Sequence, residues 1–276
     1  MSSRSPAQAA PAATPSFVVL IPARLASTRL PDKPLADIAG IPMVVRVANQ
    51  ARQSQAVRIA IATDSPRIAD VARVHGHEAI MTRADHASGT ERLAEAITLM
   101  ELAEDTIVVN VQGDEPEIPP ALIDALASCL ASDPECPMAT AVHPVQSVAD
   151  WLNPNVVKVV ADAEERALLF SRAPLPWSRS HLAWGLDAGT PQARQAFEAS
   201  RPLRHIGMYA YRSRFLTRYA QLAPCALEDI EALEQLRVLH HGYRIKLLHT
   251  DDAPPAGVDT PADLERVRAR LGHGTH

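Results

Sequence analysis

The sequence predicts an α/β fold in which helices cover a parallel sheet. Along the first half of the chain, short apolar runs alternate with helical stretches of about ten residues, which is typical of βαβ units. The first run, Phe17–Ile21, is apolar at every position, as expected for a strand buried on both faces. Hydrophobic residues make up 47% and charged residues 21% of the 276 positions, proportions that are typical of a folded globular protein.

In the first half of the chain, predicted strands and helices alternate strictly. The predicted strands are Phe17–Ile21, Val57–Ala62, Glu78–Thr82 and Thr106–Val111. The predicted helices are Pro42–Gln53, Pro66–His75, Thr90–Ala103 and Pro119–Ala131. A polar loop from Ala23 to about Leu35 separates the first strand from the first helix.

The second half is less regular and predicts a small lobe inserted into the same domain. The predicted strands are Met138–His143, Val156–Val160, Ala167–Phe170, His205–Tyr211 and Tyr243–Leu248, and the predicted helices are Leu227–His240 and Pro261–Leu271. Asp162–Glu165 suits the turn of a hairpin, and residues 174–204 predict a long loop with room for a short helix. We expect a disordered extension over residues 1–16, one domain over residues 17–271 and a flexible tail over residues 272–276.

Charge, cysteine content and missing motifs exclude several classes of protein. The formal net charge of −5 provides no basic field for nucleic acid. No apolar run approaches the ~18 residues of a membrane span, and residues 1–16 lack the apolar core of a signal peptide. The three cysteines form no CxxC pair, which favours reduced thiols and a cytoplasmic protein. The motifs GxGxxG and GxxxxGK(S/T) are absent, which excludes a dinucleotide fingerprint and a P-loop.

A basic loop follows the first predicted strand, at the sheet edge where open α/β sheets bind ligands. It carries cationic and hydroxyl donors suited to phosphate oxygens, namely Arg24, Ser27, Thr28, Arg29 and Lys33. Prolines at positions 22, 31 and 34 stiffen the backbone that presents these donors. The alternative interpretation is a solvated surface loop that happens to be basic.

Two carboxylates that follow later strands are candidate metal ligands. Asp114 comes directly after a glycine that permits close backbone approach, at the end of the fourth predicted strand. A carboxylate there suits Mg²⁺, because this ion takes few protein oxygens together with substrate phosphates. Asp259 would supply the second carboxylate. The alternative is that Asp114 and Glu115 only end the strand in a turn.

A third motif, Arg83–Arg92, leads into a helix. Ser88 and Gly89 allow tight backbone contact with a ligand, and Arg92 in the first helical turn has the reach to donate to a nucleobase. The alternative is a plain helix start, in which Asp85, Ser88 or Thr90 caps the free backbone amides.

A fourth set of polar residues lies in the second half and suits a hydroxylated, carboxylated ligand. It comprises Ser171, Arg172, His205, Tyr209, Tyr211, Glu231, Glu234, Gln235 and Arg237. On one continuous helix, Glu231 and Gln235 would be neighbours on one face. The alternative is that Glu234 and Arg237 form an ordinary surface ion pair.

In their order along the chain, these motifs closely resemble the 3-deoxy-manno-octulosonate cytidylyltransferases, or CMP-Kdo synthetases. The matching segments are IPARLASTRLPDKPL (21–35), ATD (62–64), TRADHASGTERLAE (82–95), VNVQGDEP (109–116), NPNVVKVV (153–160), FSRAPLPW (170–177), RHIGMYAYR (204–212), LEQLRVL (233–239) and GVDTPADLERV (257–267). The resemblance implies a Rossmann-like nucleotidyltransferase fold, with a mostly parallel mixed sheet and a smaller inserted lobe. About residues 145–240 would contribute to this lobe, which would bind sugar and form a homodimer.

The resemblance also implies a reaction and a role for each matching residue. CTP and 3-deoxy-manno-octulosonate (Kdo) would react to CMP-Kdo and pyrophosphate with Mg²⁺ as cofactor, which activates Kdo for lipopolysaccharide synthesis. The implied phosphate ligands are Arg24, Ser27, Arg29 and Lys33, and the implied cytosine ligands are Ala84, Ser88, Gly89 and Arg92. The implied sugar ligands are Gln112, Arg172, His205, Tyr209, Glu234 and Gln235. Asp114 and Asp259 would bind the metal and, with Arg24 and Lys33, form the catalytic set.

Three alternative functions stay open from the sequence. A cytidylyltransferase for another sugar acid, such as a neuraminate or an 8-amino analogue of Kdo, would carry the same nucleotide motifs. A metal-dependent glycosyltransferase would consume a sugar nucleotide and release no pyrophosphate. A non-catalytic nucleotide sensor would bind CTP without turnover, although the presence of Lys33, Asp114 and Asp259 disfavours it.

Overall fold

A computed structural model describes residues 15–25, 30–86, 88–179, 187–251 and 253–272. The predicted phosphate ligands Ser27 and Arg29 therefore lie outside the described residues. So do most of the predicted N-terminal extension, most of the predicted C-terminal tail, and residues 180–186 of the predicted long loop.

The described chain keeps the alternation that the sequence predicts and adds elements that were not predicted, among them two short strands at Asp37–Ile38 and Ile41–Pro42 and two helices at Val148–Leu152 and Ser213–Tyr219. The strands are β1 (Phe17–Ala23), β2 (Asp37–Ile38), β3 (Ile41–Pro42), β4 (Arg58–Thr63), β5 (Glu78–Met81), β6 (Ile107–Asn110), β7 (Met138–Pro144), β8 (Lys158–Ala161), β9 (Ala167–Ser171), β10 (Leu203–Arg212) and β11 (Ile245–His249). The helices are α1 (Met43–Ala51), α2 (Pro66–Val74), α3 (Gly89–Leu99), α4 (Pro120–Ala131), α5 (Val148–Leu152), α6 (Pro191–Ser200), α7 (Ser213–Tyr219), α8 (Ala226–Glu231), α9 (Gln235–His240) and α10 (Pro261–Gly272), with a 3₁₀ helix at Lys33–Leu35.

One mixed, mostly parallel sheet organises the molecule. Its strand order is β11-β7-β10-β6-β1-β4-β5, and β8 and β9 extend it from β10. The pairs β6–β1, β1–β4, β4–β5 and β7–β11 are parallel, whereas β10 runs antiparallel to both β6 and β7. The predicted α/β fold with a mostly parallel mixed sheet is therefore confirmed.

Side chains from both faces of the sheet are buried under helices. In β1, Phe17, Val19 and Ile21 pack on the side of α1, α2 and α4, whereas Val18 and Leu20 pack on the side of α3, α7 and α9. Successive side chains of a strand point to opposite faces, so a strand covered on both sides is apolar throughout. This burial explains why the first apolar run has no polar positions.

A hairpin of β8 and β9 extends the main sheet and is anchored to the rest of the protein. Its turn is closed by Asp162, whose Oδ1 accepts from the amides of Glu164 (2.8 Å) and Arg166 (2.9 Å). The Arg166 guanidinium then donates to both carboxylate oxygens of Asp133, at 2.9 and 3.1 Å, in the loop before β7. The hairpin predicted at Asp162–Glu165 is therefore confirmed, and a two-pronged ion pair fixes its position.

The prediction of one helix over Leu227–His240 is wrong. The chain forms two short helices, α8 and α9, because Ala232 between them takes a left-handed backbone with φ of 49°. Arg237 donates to Glu228 at 2.6 and 2.7 Å, so the expected surface pair of Glu234 with Arg237 gives way to a mostly buried pair. The break removes Glu231 and Gln235 from a common helix face.

Residues 174–204, predicted as a long loop with room for a short helix, contain such a helix, α6. The ten residues of α6 start after Thr190, whose hydroxyl accepts from the amide of Ala193 at 3.2 Å as an N-cap.

Among the described residues, no helix is long and apolar enough to cross a membrane.

Candidate active site

Two cavities adjoin at the carboxyl ends of β1 and β6. The first has a volume of about 390 Å³ and is lined by Pro22, Ala23, Arg24, Lys33, Pro34, His86, Ser88, Gly89, Arg92, Gln112, Gly113, Asp114 and Asp259. The second has a volume of about 270 Å³ and is lined by Gly89, Thr90, Asn110, Gln112, Met138, His205, Gly207, Tyr209, Tyr211, Tyr219, Ala232, Leu233, Glu234 and Gln235. Both cavities include Gly89 and Gln112 in their walls. Ligands in the two cavities would therefore meet each other at this shared wall.

The first cavity has a lysine between two carboxylates. The ammonium of Lys33 donates to Asp114 Oδ2 at 2.6 Å and to Asp259 Oδ1 at 3.1 Å. Burial on its own lowers the pKa of Lys33, but the charge of Asp114 and the hydrogen bonds to both carboxylates raise this pKa above its ordinary value. Lys33 is therefore a fixed positive charge at neutral pH.

Backbone contacts bring the two carboxylates together from distant parts of the chain. The amide of Val258 donates to the carbonyl oxygen of Asp114 at 2.8 Å, which places Asp259 beside Asp114. A Cβ on Gly257 would lie 3.2 Å from that same carbonyl oxygen, and a Cβ on Gly113 would lie 2.9 Å from the Pro22 carbonyl. Gly113 is therefore needed for the close approach of these loops, and Gly257 makes the contact between the two carboxylate-bearing loops less crowded.

This arrangement of oxygens fits a magnesium ion. Within the described parts of the chain, no group of three or more potential ligating side chains surrounds a single point. Asp114 and Asp259 nevertheless converge on one cation, the ammonium of Lys33. Mg²⁺ is often held by one or two carboxylates with phosphates and water completing its shell. The pair is therefore suited to a magnesium ion that arrives with a phosphorylated ligand.

The amino end of α3 forms another wall of the first cavity. Ser88 is the N-cap of α3 and accepts from the amide of Glu91 at 3.2 Å. The side chain of Arg92 is buried, and it donates to Thr82 Oγ1 at 2.5 Å and pairs with Asp64 at 3.3 Å. The helix-cap interpretation of Ser88 is thus correct, and it leaves Ser88 lining the cavity together with a rigidly held arginine.

The second cavity is lined by polar side chains whose pKa values are shifted by burial. Burial lowers the pKa of His205 to about 3, so this imidazole is neutral at physiological pH. Its Nε2 lies 3.0 Å from the hydroxyl of Thr140, and the ring of Phe170 meets it edge-on at 5.0 Å. Burial also raises the pKa of Tyr209 and of Glu234, and the hydroxyl of Thr90 donates to Glu234 Oε2 at 3.3 Å.

A bulge in β10 shapes the floor of this cavity. The register between β10 and β7 shifts between Ile206 and Tyr209. The buried hydroxyl of Thr140 lies 2.8 Å from the Met208 carbonyl oxygen and 3.1 Å from that of Ile206, which stabilises the irregular backbone. Bulges of this kind re-aim side chains, here those of His205 and Tyr209 toward the cavity.

Three buried polar atoms in the described residues have no hydrogen-bond partner. They are Asn110 Oδ1, Glu115 Oε2 and Gln235 Nε2. Asn110 and Gln235 line the second cavity. Glu115 instead follows Asp114 in the chain, and its burial together with the nearby charge of Asp114 raises the pKa of Glu115 to about 8.

Most of the predicted site residues that the structure describes come together at these cavities. Arg24, Lys33, Ser88, Gly89, Arg92, Asp114 and Asp259 line the first cavity, His205, Tyr209, Glu234 and Gln235 line the second, and Gln112 lines both. Ala84 is described but exposed, and it lies outside both linings. Its role in binding cytosine stays a prediction.

Arg172 also lies outside both linings, and its side chain binds backbone oxygens instead. Its Nε donates to the carbonyl of Glu231 at 2.6 Å and its Nη1 to the carbonyl of Pro154 at 3.0 Å. Its amide donates to the carboxylate of Glu231 at 2.9 Å. In this structure Arg172 therefore fixes the segment before Ala232, and its predicted contact with a sugar stays a prediction.

Several lining residues were not predicted from the sequence. They include Pro22, Pro34, His86, Thr90, Asn110, Gly207, Tyr219 and Leu233. One signal was available, because Asn110 is a polar residue that ends the otherwise apolar strand β6. Tyr219 offered no such signal, since its helix approaches the cavity only in the folded chain.

Comparison with known proteins gives concordant matches. The profile of a cytidylyltransferase family matches residues 18–245. The 3-deoxy-manno-octulosonate cytidylyltransferase of Methylibium petroleiphilum is 58% identical over 256 residues, which cover 93% of this chain and 95% of the relative. The solved structure of CMP:2-keto-3-deoxy-manno-octonic acid synthetase complexed with CTP is 40% identical with a TM-score of 0.83, covering 94% of this chain and 99% of that one.

A more distant structure shares the fold alone. The structure of 4-diphosphocytidyl-2C-methyl-D-erythritol synthase is 13% identical, with a TM-score of 0.58 over 93% of this chain and 98% of that one. The family resemblance that the sequence motifs indicate is thus confirmed by the closer matches, and the fold by all of them.

The close contact at Gly113 generates a stability prediction. In Gly113→Ala, the new Cβ would lie 2.9 Å from a backbone oxygen, so the loops must move apart. We expect a loss of about 1–3 kcal/mol in the free energy of unfolding, as for other overpacked sites, measured by urea titration. The control is Gly189→Ala, whose Cβ would have its nearest neighbour at 3.7 Å, and we expect it to change stability by less than about 0.5 kcal/mol. Equal effects of the two substitutions would contradict the steric argument.

Proposed function

Because this chain belongs to the cytidylyltransferase family, among the 3-deoxy-manno-octulosonate cytidylyltransferases, we propose that it transfers CMP from CTP to Kdo. The anomeric 2-hydroxyl of Kdo would attack the α-phosphorus, and pyrophosphate would leave. The product, CMP-Kdo, is the activated form of the sugar for lipopolysaccharide synthesis. The observation that carries the proposal is the pair of adjoining cavities, one with cationic and carboxylate groups and one lined by uncharged polar groups together with the carboxylate of Glu234.

The two cavities divide the substrates between them. The triphosphate of CTP would occupy the first, where Lys33 and Arg24 supply positive charge beside the end of β1. Ser88, Gly89 and Arg92 at the start of α3 would contact cytosine. The sugar acid would occupy the second cavity, where His205, Tyr209, Glu234 and Gln235 offer hydrogen bonds.

The shared wall explains how the reacting groups would meet. Both substrates are anionic and repel each other until cations neutralise the triphosphate. Gln112 and Gly89 border both cavities, so the sugar hydroxyl and the α-phosphorus would be aligned across them. Lys33 and Arg24 would stabilise the negative charge that develops on departing pyrophosphate. A covalent protein nucleophile is not needed, since the sugar hydroxyl attacks directly.

Asp114 and Asp259 would hold Mg²⁺. When bound, this ion would neutralise the phosphates and lower the pKa of the attacking hydroxyl. Lys33 links the two carboxylates at 2.6 and 3.1 Å, and it would keep them in place before the nucleotide arrives.

We propose a cytoplasmic enzyme that acts as a homodimer. Cys129, Cys136 and Cys225 are free thiols, which is usual in a reducing compartment. The side chains of Leu168 on β9 and of Leu227 and Ile230 on α8 are 62%, 42% and 80% exposed. Ser171 joins these two elements through its hydrogen bond to Glu231, so the apolar side chains lie on one lobe. A second copy of the chain would cover them.

The proposed reaction can be tested by measuring pyrophosphate release with Mg²⁺ over a panel of nucleotides and sugar acids. We expect release with CTP and Kdo, and much less with other nucleotides or with a neuraminate. Release with another sugar acid alone would reassign the substrate. Binding of CTP without any release would support a nucleotide sensor, and consumption of a sugar nucleotide without pyrophosphate would support a glycosyltransferase.

The metal role of Asp114 gives a second prediction. Asp114→Asn removes one of two carboxylate charges, so we expect kcat to fall by about 10²–10³-fold, while calorimetry still detects partial CTP binding. The control is Glu265→Gln, which changes an exposed carboxylate on α10 outside both cavities. Near-normal turnover of D114N with unchanged dependence on Mg²⁺ would contradict the assignment.

The dimer gives a third prediction. Ile230→Asp places a charge at the most exposed of the three apolar side chains Leu168, Leu227 and Ile230. We therefore expect the dissociation constant of the dimer to rise by about tenfold or more in sedimentation experiments. Val74→Asp is the control, because Val74 on α2 is 84% exposed and lies away from the lobe. A wild-type chain that sediments as a monomer, or equal effects of the two substitutions, would refute this interface.

A further inference from the structure

Asn110 occupies an unusual place in the sheet. It is the last residue of β6, between Leu20 of β1 and Tyr209 of β10 in the register of the sheet. The residue is only 2% exposed, and it lines the second cavity. Among the described residues its Oδ1 has no hydrogen-bond partner. The Oδ1 atom of this buried side chain therefore makes no hydrogen bond that would stabilise the fold.

A complementary unpaired group lies in the wall of the same cavity. Gln235, the first residue of α9, is 3% exposed, and its Nε2 also has no partner among the described residues. Leaving a buried polar group unpaired costs about 1–3 kcal/mol, so native proteins rarely do so without a functional reason. Nearby polar groups are paired, since His205 meets Thr140 and Glu234 meets Thr90. Among the described residues that line this cavity, the buried polar atoms without a partner are thus one acceptor, Asn110 Oδ1, and one donor, Gln235 Nε2.

We propose that Asn110 is a specificity-determining residue whose Oδ1 accepts a hydrogen bond from a hydroxyl group of the sugar acid. This inference rests on the proposed function and adds a contact to it. An amide oxygen only accepts, so its partner must carry a hydrogen; a hydroxyl does, and an ionised carboxylate does not. A hydroxyl also accepts, so Gln235 Nε2 would donate to the same hydroxyl or to a neighbouring oxygen of the sugar.

The consequence is discrimination against sugars that lack this hydroxyl. A site built to hydrogen-bond a hydroxyl rejects the deoxygenated analogue strongly, because its own buried polar groups then stay unpaired. Asn110 would therefore act on sugar recognition and leave nucleotide recognition unchanged. The lining of the first cavity, which would hold the nucleotide, does not include it among the described residues.

The test is Asn110→Leu, which keeps the branched shape of the side chain and removes its polar atoms. We expect the KM for Kdo to rise by about tenfold or more, the loss of one hydrogen bond in a buried site. The KM for CTP should stay within about twofold. The melting temperature of the free protein should not fall, since the substitution removes an unpaired buried oxygen. Deoxy analogues of Kdo, each lacking one hydroxyl, should show which group is read, because N110L should lose the preference of the wild type for that hydroxyl.

The matched control is Val108→Ala, a truncation two residues earlier in β6. Val108 lies in the core on the same face of the strand and outside both cavities, so its loss should lower the melting temperature and leave the KM for Kdo unchanged. Asn110→Ala serves as the second variant if N110L does not fold.

The outcomes separate the inference from the proposed function. A folded variant with an unchanged KM for Kdo and unchanged discrimination among the deoxy analogues would overturn the role of Asn110, while wild-type turnover would leave the proposed function standing. A wild-type protein that releases no pyrophosphate with any sugar acid would overturn the proposed function, and the inference would fall with it.

Discussion

The first cavity depends on the ion pairs that the ammonium of Lys33 makes with two carboxylates. This ammonium links Asp114, after the central strand β6, to Asp259, before the last helix, and these carboxylates are 145 positions apart in the sequence. Both carboxylates lie close to the same nitrogen atom, at 2.6 and 3.1 Å, and without a cation between them they would repel each other. Lys33 thus holds together the negatively charged corner where the proposed Mg²⁺ and the phosphates of CTP would bind.

The backbone around this charge cluster is as constrained as the charges themselves. The amide of Val258 docks on the carbonyl of Asp114, and two glycines permit contacts that a Cβ would obstruct. Three loops, after β1, after β6 and before α10, therefore meet at one edge of the sheet. The sheet provides the rigid support, and the loops bring the chemistry.

The second cavity arises from irregularities. A bulge in β10 directs His205 and Tyr209, and the left-handed residue Ala232 breaks the helical segment so that Glu234 and Gln235 reach the same space. Arg172 and the carboxylate of Glu231 fix the chain just before this break. The charges of the site are thus concentrated in the first cavity, while the second offers mainly neutral hydrogen-bonding groups, as suits recognition of a hydroxylated sugar.

The sequence by itself determined the alternation of the longer strands and helices in the first half of the chain, the α/β class, the family and most residues of the first cavity. Apolar periodicity is a local property, and residues that follow parallel strands must gather at one sheet edge, so Asp114 and Lys33 could be placed without coordinates. The break at Ala232, the clamp made by Arg172 and the unpaired oxygen of Asn110 were decided only by the tertiary structure. Each of them depends on packing between segments far apart in the chain, and such contacts cannot be predicted from the propensities of neighbouring residues.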